Sequence, residues 1–269
     1  MKDLFFHKNF LTKLENKTIL KEKKNLKKIS IVMPSFNKAE FIERSILSVL
    51  NQNHLNLELI VIDGGSTDGT VEIIKKYEKH IAFWVSEKDQ GQSDALNKGF
   101  KHCTGEVYGF LNSDDLYTPN AFKYALSALN DNPNKKIVFG DYLSINKKDL
   151  IIDYNHSFDF NLNHFKYEGF HLSATSMFWR SEVHERFSGF DTNLYYTMDY
   201  QLILELAINE GQNSFKRIPK VLAGFRRYEG QKTTGEMDPS VIQEHKLLAK
   251  KYNYLDKYGF IGKFKRFYF

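Results

Sequence analysis

The sequence predicts an α/β domain in which helices cover both faces of a mostly parallel central sheet. Short runs rich in Val and Ile alternate along the chain with segments whose apolar residues recur at helical spacing. Strands that are buried on both faces have this composition, and parallel strands need crossover connections, which are usually helices. The 269 residues, 42% apolar and 26% charged, suffice for one such domain with additions at its ends.

Each element is predicted from a local pattern. The first strand is the β-branched run at residues 29–33, which we expect to stop at Pro34. Later elements follow the same alternation, and Thr118 with Pro119 is expected to open one helix as its cap and first-turn residue. The other predicted elements are helices at 41–50, from 71, at 93–100 and at 199–208, and strands at 57–62, 81–85, 107–111 and 137–142.

The two ends of the chain are basic and its body is acidic. Residues 1–28 carry nine Lys against three acidic residues, and residues 245–269 carry seven Lys or Arg against Asp256. Because the net charge is only +5, the residues between are net negative, which argues against a nucleic-acid-binding surface. Basic ends suit contact with an anionic membrane. We therefore predict a basic arm at 1–28, one domain at 29–238, and a basic, aromatic, helical tail at 239–269.

The same composition bears on location. No run approaches the roughly 20 apolar residues that a membrane-spanning helix needs, and the N-terminus lacks the apolar run of a signal peptide. The expected location is the cytoplasm, with peripheral contact to the inner face of the cell membrane. The lone Cys103 excludes an intramolecular disulfide and a cysteine-rich metal site.

Polar residues that follow predicted strands are the candidate site residues, because parallel sheets bind ligands at the carboxyl ends of their strands. The first group is Pro34, Phe36, Asn37 and Glu40. Asn37 and Glu40 also have the spacing of a helix capping box, which is a purely structural interpretation of the group.

Two further groups admit structural and functional interpretations. Asp63 directly follows an apolar strand, where its carboxylate is placed to accept hydrogen bonds from a nucleoside, and Asp68 suits a helix cap. In the third group Ser93 is a plausible helix cap, and Asp94 would lie on one helix face with Lys98 as an ion pair.

The fourth group carries the strongest chemical signal. Asn112, Ser113, Asp114 and Asp115 follow the strand predicted at 107–111. Adjacent carboxylates at a strand end repel each other unless a cation or several donors lie between them, and hard divalent cations prefer oxygen ligands and often bridge nucleotide phosphates. The alternative is an ordinary turn before the helix that Thr118 opens.

Taken together, these groups resemble family-2 glycosyltransferases of the bacterial polysaccharide and lipopolysaccharide type, which have the nucleotide-binding GT-A fold. The resemblance spans roughly residues 29–235. It rests on five segments in order: SIVMPSFN, ELIVIDGGSTDGT, DQGQSDALNKGF, TGEVYGFLNSDD and SGFDTNLYYTMDYQL.

The resemblance implies roles for individual residues. Asp199 would be the catalytic base, and Asp114 and Asp115 would hold Mn²⁺ or Mg²⁺ on the diphosphate. The residues expected to contact the nucleotide sugar are Pro34, Phe36, Asn37, Glu40, Asp63, Asp94, Asn112, Ser113, Asp114 and Arg226.

The chain departs from the family pattern at three positions. Asn112 replaces the first acid of the metal motif, Met198 replaces a Glu that often precedes the base, and Tyr228 stands where many relatives have a His near the phosphates. Asp199 also lies near the start of a predicted helix, where a carboxylate favours the helix dipole without any catalytic role.

The function that the resemblance implies is inverting transfer of a sugar, with a UDP-linked donor expected, to a saccharide or lipid-linked acceptor in surface polysaccharide synthesis. The alternatives are a non-catalytic glycosyltransferase-like scaffold and a sugar nucleotidyltransferase. A nucleotidyltransferase usually has a Gly-rich, Arg-containing loop after its first strand, and this chain has Pro34-Ser35-Phe36-Asn37 there. An aspartyl phosphatase, suggested by Asp68-Gly69-Thr70, needs a second Asp where the chain has Gly65.

Overall fold

One twisted sheet organises the molecule. The computed structural model describes residues 10–12, 14, 27–169, 172–232 and 238–254. Within these residues the strands join in the spatial order β3-β2-β1-β4-β8-β6-β9-β5, with β7 paired to β6. The strands are β1 (Ile29–Ser35), β2 (Leu57–Asp63), β3 (Phe83–Ser86), β4 (Val107–Phe110), β5 (Leu116–Tyr117), β6 (Ile137–Ile145), β7 (Ile151–Asn155), β8 (Met177–Arg180) and β9 (Phe215–Arg226).

The first four strands in this order are parallel, as predicted. β1 pairs with β2 and β4, and the register places Ser35 opposite Asp63 and Val32 opposite Phe110. Because these strands run in one direction, the segments that follow β1, β2 and β4 meet at one edge of the sheet. The other half is mixed: β8 lies antiparallel between β4 and β6, and β9 runs parallel to β6.

Helices cover both faces, which confirms the predicted fold class. They are α1 (Ile42–Leu50), α2 (Thr70–Lys76), α3 (Gln92–Phe100), α4 (Ala121–Asp131), α5 (Leu162–Glu168), α6 (Ser181–His184), α7 (Met198–Glu210) and α8 (Pro239–Lys251). Side chains alternate along β1, so Ile31 belongs to the apolar cluster that contains Phe122 of α4, and Val32 to the cluster that contains Leu96 of α3. At Gly99 a methyl group would overlap Val32, and α3 therefore needs glycine there to approach the sheet.

The C-terminal helix α8 packs into the same core. Leu248 and Ala249 are buried, and Leu248 belongs to the cluster that contains Tyr200 of α7. A helix is thus present at the start of the predicted tail, and its packing is continuous with that of the central domain. Residues 255–269, with most of the predicted aromatic and basic tail, and most of the predicted arm at 1–28 lie outside the described residues.

Three predicted helix caps are wrong: Thr118, Asn37 with Glu40, and Ser93 do not cap the helices that follow them. α4 begins at Ala121, and the hydroxyl of Thr118 donates to the Val221 carbonyl (2.7 Å) rather than capping a helix. α1 begins at Ile42 without a side-chain cap, so Asn37 and Glu40 form no capping box. The hydroxyl of Ser93 donates to the Leu194 carbonyl (3.4 Å) instead of capping α3.

The end of β1 also differs from the prediction. The strand continues through Pro34 to Ser35. Pro34 lies beyond Val32, the last residue of β1 that pairs with β4, so its missing N–H leaves no bond to that strand open. Within the described residues, no helix is long and apolar enough to cross a membrane.

Candidate functional site

The loops after β1 and β2 are joined by hydrogen bonds that shape the first part of the site. The backbone N–H of Asn37 donates to Ser66 Oγ (2.7 Å), and Asn37 Oδ1 accepts from the N–H of Thr67 (2.9 Å). Asn37 adopts a φ of 50°, a left-handed conformation that Asn tolerates better than most residues. Next to it the Phe36 ring is 57% exposed. An exposed aromatic face on a fixed loop can stack against a planar ring such as a nucleobase.

The remaining residues of the first group take different positions. Pro34 is buried within β1. Glu40 is exposed and lies 3.5 Å from the ammonium of Lys147. Their contact with a nucleotide stays a prediction.

Asp63 is fully buried at the end of β2 and holds the loop that follows. Its carboxylate accepts from the N–H (2.8 Å) and hydroxyl (2.5 Å) of Ser66 and from the hydroxyl of Ser86 (2.7 Å). The same Ser66 hydroxyl receives the Asn37 N–H. Asp63 therefore supports the loops after β1 and β2, and its predicted direct contact with base or ribose stays a prediction.

A polar chain links α3 to the segment after β4. Asp94 accepts from the N–H of Gln90 (3.1 Å) and pairs with Lys98 (3.3 Å), as the helical spacing predicted. Gln92 donates to Asn112 Oδ1 (2.7 Å), and Asn112 Nδ2 donates to Asp115 Oδ2 (3.1 Å). Asn112, which replaces an acid of the family motif, thus bridges two elements of the site.

Asp115 is fully buried and bonded to protein on both oxygens. Oδ1 accepts from the backbone N–H of Arg226 (2.9 Å), and Oδ2 accepts from Asn112 and from the Thr175 hydroxyl (3.3 Å). Burial raises the pKa of Asp115 above its ordinary value, and the charge of Asp114 raises it further. Nearby, the Ser45 hydroxyl donates to the Ser113 carbonyl (2.9 Å), which fixes the preceding turn.

Arg226 is also fully buried, and its guanidinium points into the protein. Nε donates to the Asp114 carbonyl (2.6 Å), Nη1 donates to the Asn146 carbonyl (2.7 Å), and Nη2 pairs with Asp149 (2.6 Å). The central guanidinium carbon, Cζ, also lies 4.8 Å from the centre of the Phe41 ring. This geometry makes Arg226 a support of the Asp114 turn, and a contact with the diphosphate stays a prediction.

Of the two adjacent acids Asp114 and Asp115, it is Asp114 whose carboxylate contacts a lysine. Its Oδ2 accepts from the Tyr228 hydroxyl (2.7 Å) and lies 3.1 Å from the ammonium of Lys38, which also donates to Tyr228 (2.5 Å). Burial opposes the charge on Lys38, but Asp114 and Tyr228 outweigh it and raise the pKa of Lys38. Burial, together with Asp114, raises the pKa of Tyr228 to about 12, so its hydroxyl stays protonated at neutral pH.

The fit of a divalent cation can be judged from these contacts. Within the described residues, no group of three or more His, Cys, Asp or Glu side chains is placed to hold a metal ion. Asp114, however, retains some exposed surface, offers the oxygen ligand that Mn²⁺ and Mg²⁺ prefer, and already attracts a cation in Lys38. Asp115 has no exposed surface. The residues therefore fit a metal held by Asp114 together with phosphate oxygens of a ligand.

Asp199 lies in the first turn of α7 and is partly exposed. Its Oδ1 accepts from the N–H of Tyr200 (2.8 Å), so the predicted interaction with the helix terminus is present. Surrounding protein atoms raise the pKa of Asp199 to about 6, and the charge of Lys232 partly opposes this rise. A carboxylate with that pKa can accept and release a proton near neutral pH.

The charges of two lysines, Lys38 and Lys232, act on the carboxylates of Asp114 and Asp199. Burial lowers the pKa of Lys232, and the nearby charge of Lys38 lowers it further, while Asp199 opposes both effects. Lys38 contacts Asp114, and the charge of Lys232 acts on the pKa of Asp199, so each of the two carboxylates has a lysine that counters its charge. Lys38 was missed as a site residue, although its position between Asn37 and Glu40 of the first group and the need for cations near phosphates were available signals.

Comparison with known protein families decides the class. The model of the family described as Glycosyl transferase family 2 matches residues 30–187, more than half of the chain. The chain belongs to glycosyl transferase family 2. A nucleotidyltransferase and a phosphatase are thereby set aside, and the strand-end groups after β1, β2 and β4 fall within the matched residues.

Individual relatives agree with this family. An uncharacterized glycosyltransferase of Rickettsia typhi is 33% identical over 186 residues, which cover 65% of this chain and 57% of the relative. WfgD of Escherichia coli, a UDP-Glc:alpha-D-GlcNAc-diphosphoundecaprenol beta-1,3-glucosyltransferase, is 33% identical over 124 residues, 46% of this chain and 49% of WfgD. The chain thus spans little more than half the length of the Rickettsia family-2 relative.

Solved structures show the same fold. TarS 1-349 of S. aureus in complex with UDP-GlcNAc superposes with a TM-score of 0.65 at 19% identity, covering 86% of this chain and 69% of that one. The mannosyltransferase PcManGT of Pyrobaculum calidifontis in complex with GDP-Man and Mn²⁺ gives a TM-score of 0.53 at 20% identity, covering 74% of this chain and 56% of that one. At such identities the likeness confirms the predicted GT-A fold of this family-2 chain.

Trp179 and His171 were the two residues whose role on the acceptor side the sequence did not decide, and the structure describes the first of them. Trp179, considered as a sugar contact or as a core residue, is fully buried among apolar side chains and is a core residue. His171, the other candidate on the acceptor side, lies outside the described residues.

Proposed function

We propose that this chain is an inverting glycosyltransferase that moves a sugar from a UDP-linked donor to a hydroxyl of a saccharide or lipid-linked acceptor in surface polysaccharide synthesis. One observation carries the proposal: Asp114, a carboxylate suited to a cation, pairs with Lys38, and the charge of Lys232 acts both on Lys38 and on Asp199, a carboxylate with a pKa of about 6. A donor diphosphate at Asp114 and an acceptor hydroxyl at Asp199 would then lie in one site.

The steps follow from the roles of these residues. Asp199 accepts the proton of the acceptor hydroxyl as its oxygen attacks the anomeric carbon, and the bond from that carbon to the diphosphate breaks. One displacement inverts the configuration, and no second carboxylate nucleophile is needed. Lys38 and Lys232 are placed to neutralise charge on the departing diphosphate. A divalent cation held by Asp114, when bound, would stabilise the same charge.

The choice of donor and acceptor rests on the relatives. The name of WfgD specifies UDP-glucose and an acceptor linked to diphosphoundecaprenol, and TarS was solved with UDP-GlcNAc. Both support a UDP-linked donor, and WfgD supports a lipid-linked saccharide acceptor. PcManGT was solved with GDP-Man and Mn²⁺, which supports a divalent metal and makes GDP the necessary comparison.

Calorimetric titration with UDP, GDP and dTDP, each with and without Mn²⁺, tests the donor site. Asp114→Asn is the sharper variant, because Asp115→Ala would also leave the N–H of Arg226 and the side chains of Asn112 and Thr175 without their acceptor. We expect UDP to bind in the presence of Mn²⁺, and Asp114→Asn to weaken this binding by about 10- to 100-fold.

Asp131→Asn is the matched control, because Asp131 is exposed at the end of α4, which runs away from the carboxyl edge of the sheet. It should bind UDP like the wild type. If folded wild-type protein binds none of the three nucleotides, the donor site is wrong and the scaffold interpretation replaces it.

Contact with a membrane is proposed from charge. Aromatic residues alternate with Lys263, Lys265 and Arg266 near the C-terminus, and each basic residue near an anionic surface contributes about 1 kcal/mol of binding. We expect the protein to sediment with phosphatidylglycerol vesicles at low salt and to be released by salt. Replacing these three residues with Gln should weaken sedimentation, whereas equal binding to neutral vesicles would contradict an electrostatic contact at the inner face of the membrane.

A further inference from the structure

Helix α8 holds the segment that leads into the helix of Asp199. Glu244 of α8 is buried and accepts four hydrogen bonds, each 2.9 Å long, from three consecutive residues. Oε1 accepts from the N–H of Tyr195, and Oε2 accepts from the N–H groups of Tyr196 and Thr197 and from the Thr197 hydroxyl. One carboxylate thus fixes the whole segment 195–197.

This arrangement is unusual for a buried acid. Within the part of the chain that the structure describes, no cation forms an ion pair with Glu244, so backbone N–H dipoles compensate its charge. The charge also lies at the N-terminus of α7, since Thr197 is the residue before the first helical position. A negative charge is stabilised there by the helix dipole. Glu244 is therefore matched to this segment in both charge and geometry.

Further contacts anchor α8 along α7, so the Glu244 contacts are not isolated. Asp238, the N-cap of α8, accepts from the Tyr196 hydroxyl (3.0 Å). Tyr252 donates to Glu205 of α7 (2.7 Å), and the rings of His245 and Tyr200 lie 4.6 Å apart. The helix therefore contacts α7 both at the entry segment and further along.

The held segment carries two features of the site. Asp199 follows Thr197 by two residues, so the path of residues 195–197 sets where its carboxylate lies. The ring of Tyr195 is 59% exposed, and the ammonium of Lys232 lies 3.6 Å from its centre. An exposed aromatic ring beside the base offers a surface for the apolar face of a sugar.

We propose that Glu244 of α8 is a positioning residue, which holds segment 195–197 so that Asp199 and the Tyr195 ring meet the acceptor. The inference rests on the proposed function, because it assumes that Asp199 is the base. It also assigns a role to the beginning of the C-terminal tail, for which the sequence offered no motif.

The test compares Glu244→Gln with Gln243→Ala, a change at the exposed neighbouring position of the same helix. A Gln presents an NH₂ group to N–H donors, so it cannot reproduce all four bonds. The assay is release of UDP from UDP-glucose and from UDP-N-acetylglucosamine with water as acceptor, which needs no knowledge of the natural acceptor. UDP binding by calorimetry shows that each variant is folded.

We expect Glu244→Gln to lower kcat by about 10- to 100-fold, the loss that a shift of about 1 Å in a catalytic group causes, with KM for the donor and Kd for UDP unchanged. Gln243→Ala should match the wild type. Among the described residues, the charge of Lys232 lowers the pKa of Asp199 and the charge of Glu244 raises it. Removing the negative charge of Glu244 favours ionised Asp199, so the acidic limb of the pH profile should also move to lower pH.

A merely structural role for Glu244 would change stability and leave kcat of the folded protein unaltered, and that result would overturn the inference. If Glu244→Gln does not fold, Thr197→Val removes only the hydroxyl bond, and a folded Thr197→Val with wild-type kcat would overturn it equally. If the wild type binds UDP but releases UDP from neither UDP-glucose nor UDP-N-acetylglucosamine, then the proposed donor or the proposed role of Asp199 as base is wrong. That result contradicts the proposed function and is distinct from a failure of the Glu244 inference.

Discussion

Replacing Asp199 with Asn is expected to lower sugar transfer by about 10²- to 10⁴-fold, the range that a general base contributes. An Asn side chain can keep the hydrogen bond from the Tyr200 N–H but cannot accept the acceptor's proton. UDP binding in the presence of Mn²⁺ should be unchanged, because the Asp114 contacts lie on other elements. UDP release and calorimetry on the same preparations check both statements, with Asp131→Asn as the matched control.

The pKa of Asp199 gives this prediction a pH dependence. The base must be ionised, so activity should fall as pH drops through about 6. The positive charge of Lys232 lowers the pKa of Asp199, and Lys232→Met should therefore move the acidic limb to higher pH. The charge of Glu244 has the opposite effect, and the two variants should shift the limb in opposite directions.

The thermal stability of Asp199→Asn distinguishes a catalytic role of Asp199 from a role in capping α7. The folded protein raises the pKa of Asp199 to about 6, so the cost of ionising it in the native state accumulates as pH rises from the ordinary pKa of Asp to that value and is complete above it. A neutral Asn removes this cost, and Asp199→Asn should have a higher Tm than wild type at pH 7 and lose the advantage below the ordinary pKa of Asp. A variant with a lower Tm and wild-type turnover would mean that Asp199 serves only the helix dipole.

The order of elements was predictable from sequence because burial on both faces leaves a continuous Val and Ile signal in each strand. Polar clusters at strand ends were predictable for the same reason, since Asp63 and Asp114 interrupt or follow such runs. The orientation of individual side chains was not. Thr118 and Asn37 match helix-capping patterns locally. In the structure, however, the Thr118 hydroxyl donates to the carbonyl of Val221 and Asn37 Oδ1 accepts from the N–H of Thr67, and both partners are distant in sequence.

Glu244 shows a second limit of sequence reasoning. Its partners are mostly backbone N–H groups at residues 195–197, which every non-proline residue possesses. No residue type at those positions signals the contact, and the sequence separation of 47 between Thr197 and Glu244 removes any local pattern. Only the packing of α8 against α7 brings them together.

Arg226 was expected to contact the nucleotide sugar, but its guanidinium is buried and bonded to protein. Replacing Arg226 with Met should therefore strongly destabilise the fold. The change removes the partner of Asp149 and leaves the carbonyls of Asp114 and Asn146 without their donors. Breaking a buried ion pair from one side costs about 3–5 kcal/mol. Because Asp149 is partly exposed and also pairs with Arg44, we expect the lower end, about 3 kcal/mol.

Urea denaturation of Arg226→Met and of Arg227→Met measures this cost, since Arg227 is the exposed neighbour and the same change there should alter stability by less than about 0.5 kcal/mol. Arg226→Lys should be intermediate, because an ammonium cannot reproduce the fork of contacts to three partners. If Arg226→Met instead keeps its stability and loses UDP binding, the guanidinium contacts the diphosphate, as the sequence first suggested. A loss of stability with weakened Mn²⁺-dependent UDP binding would mean that Arg226 acts on the donor through the Asp114 turn that it supports.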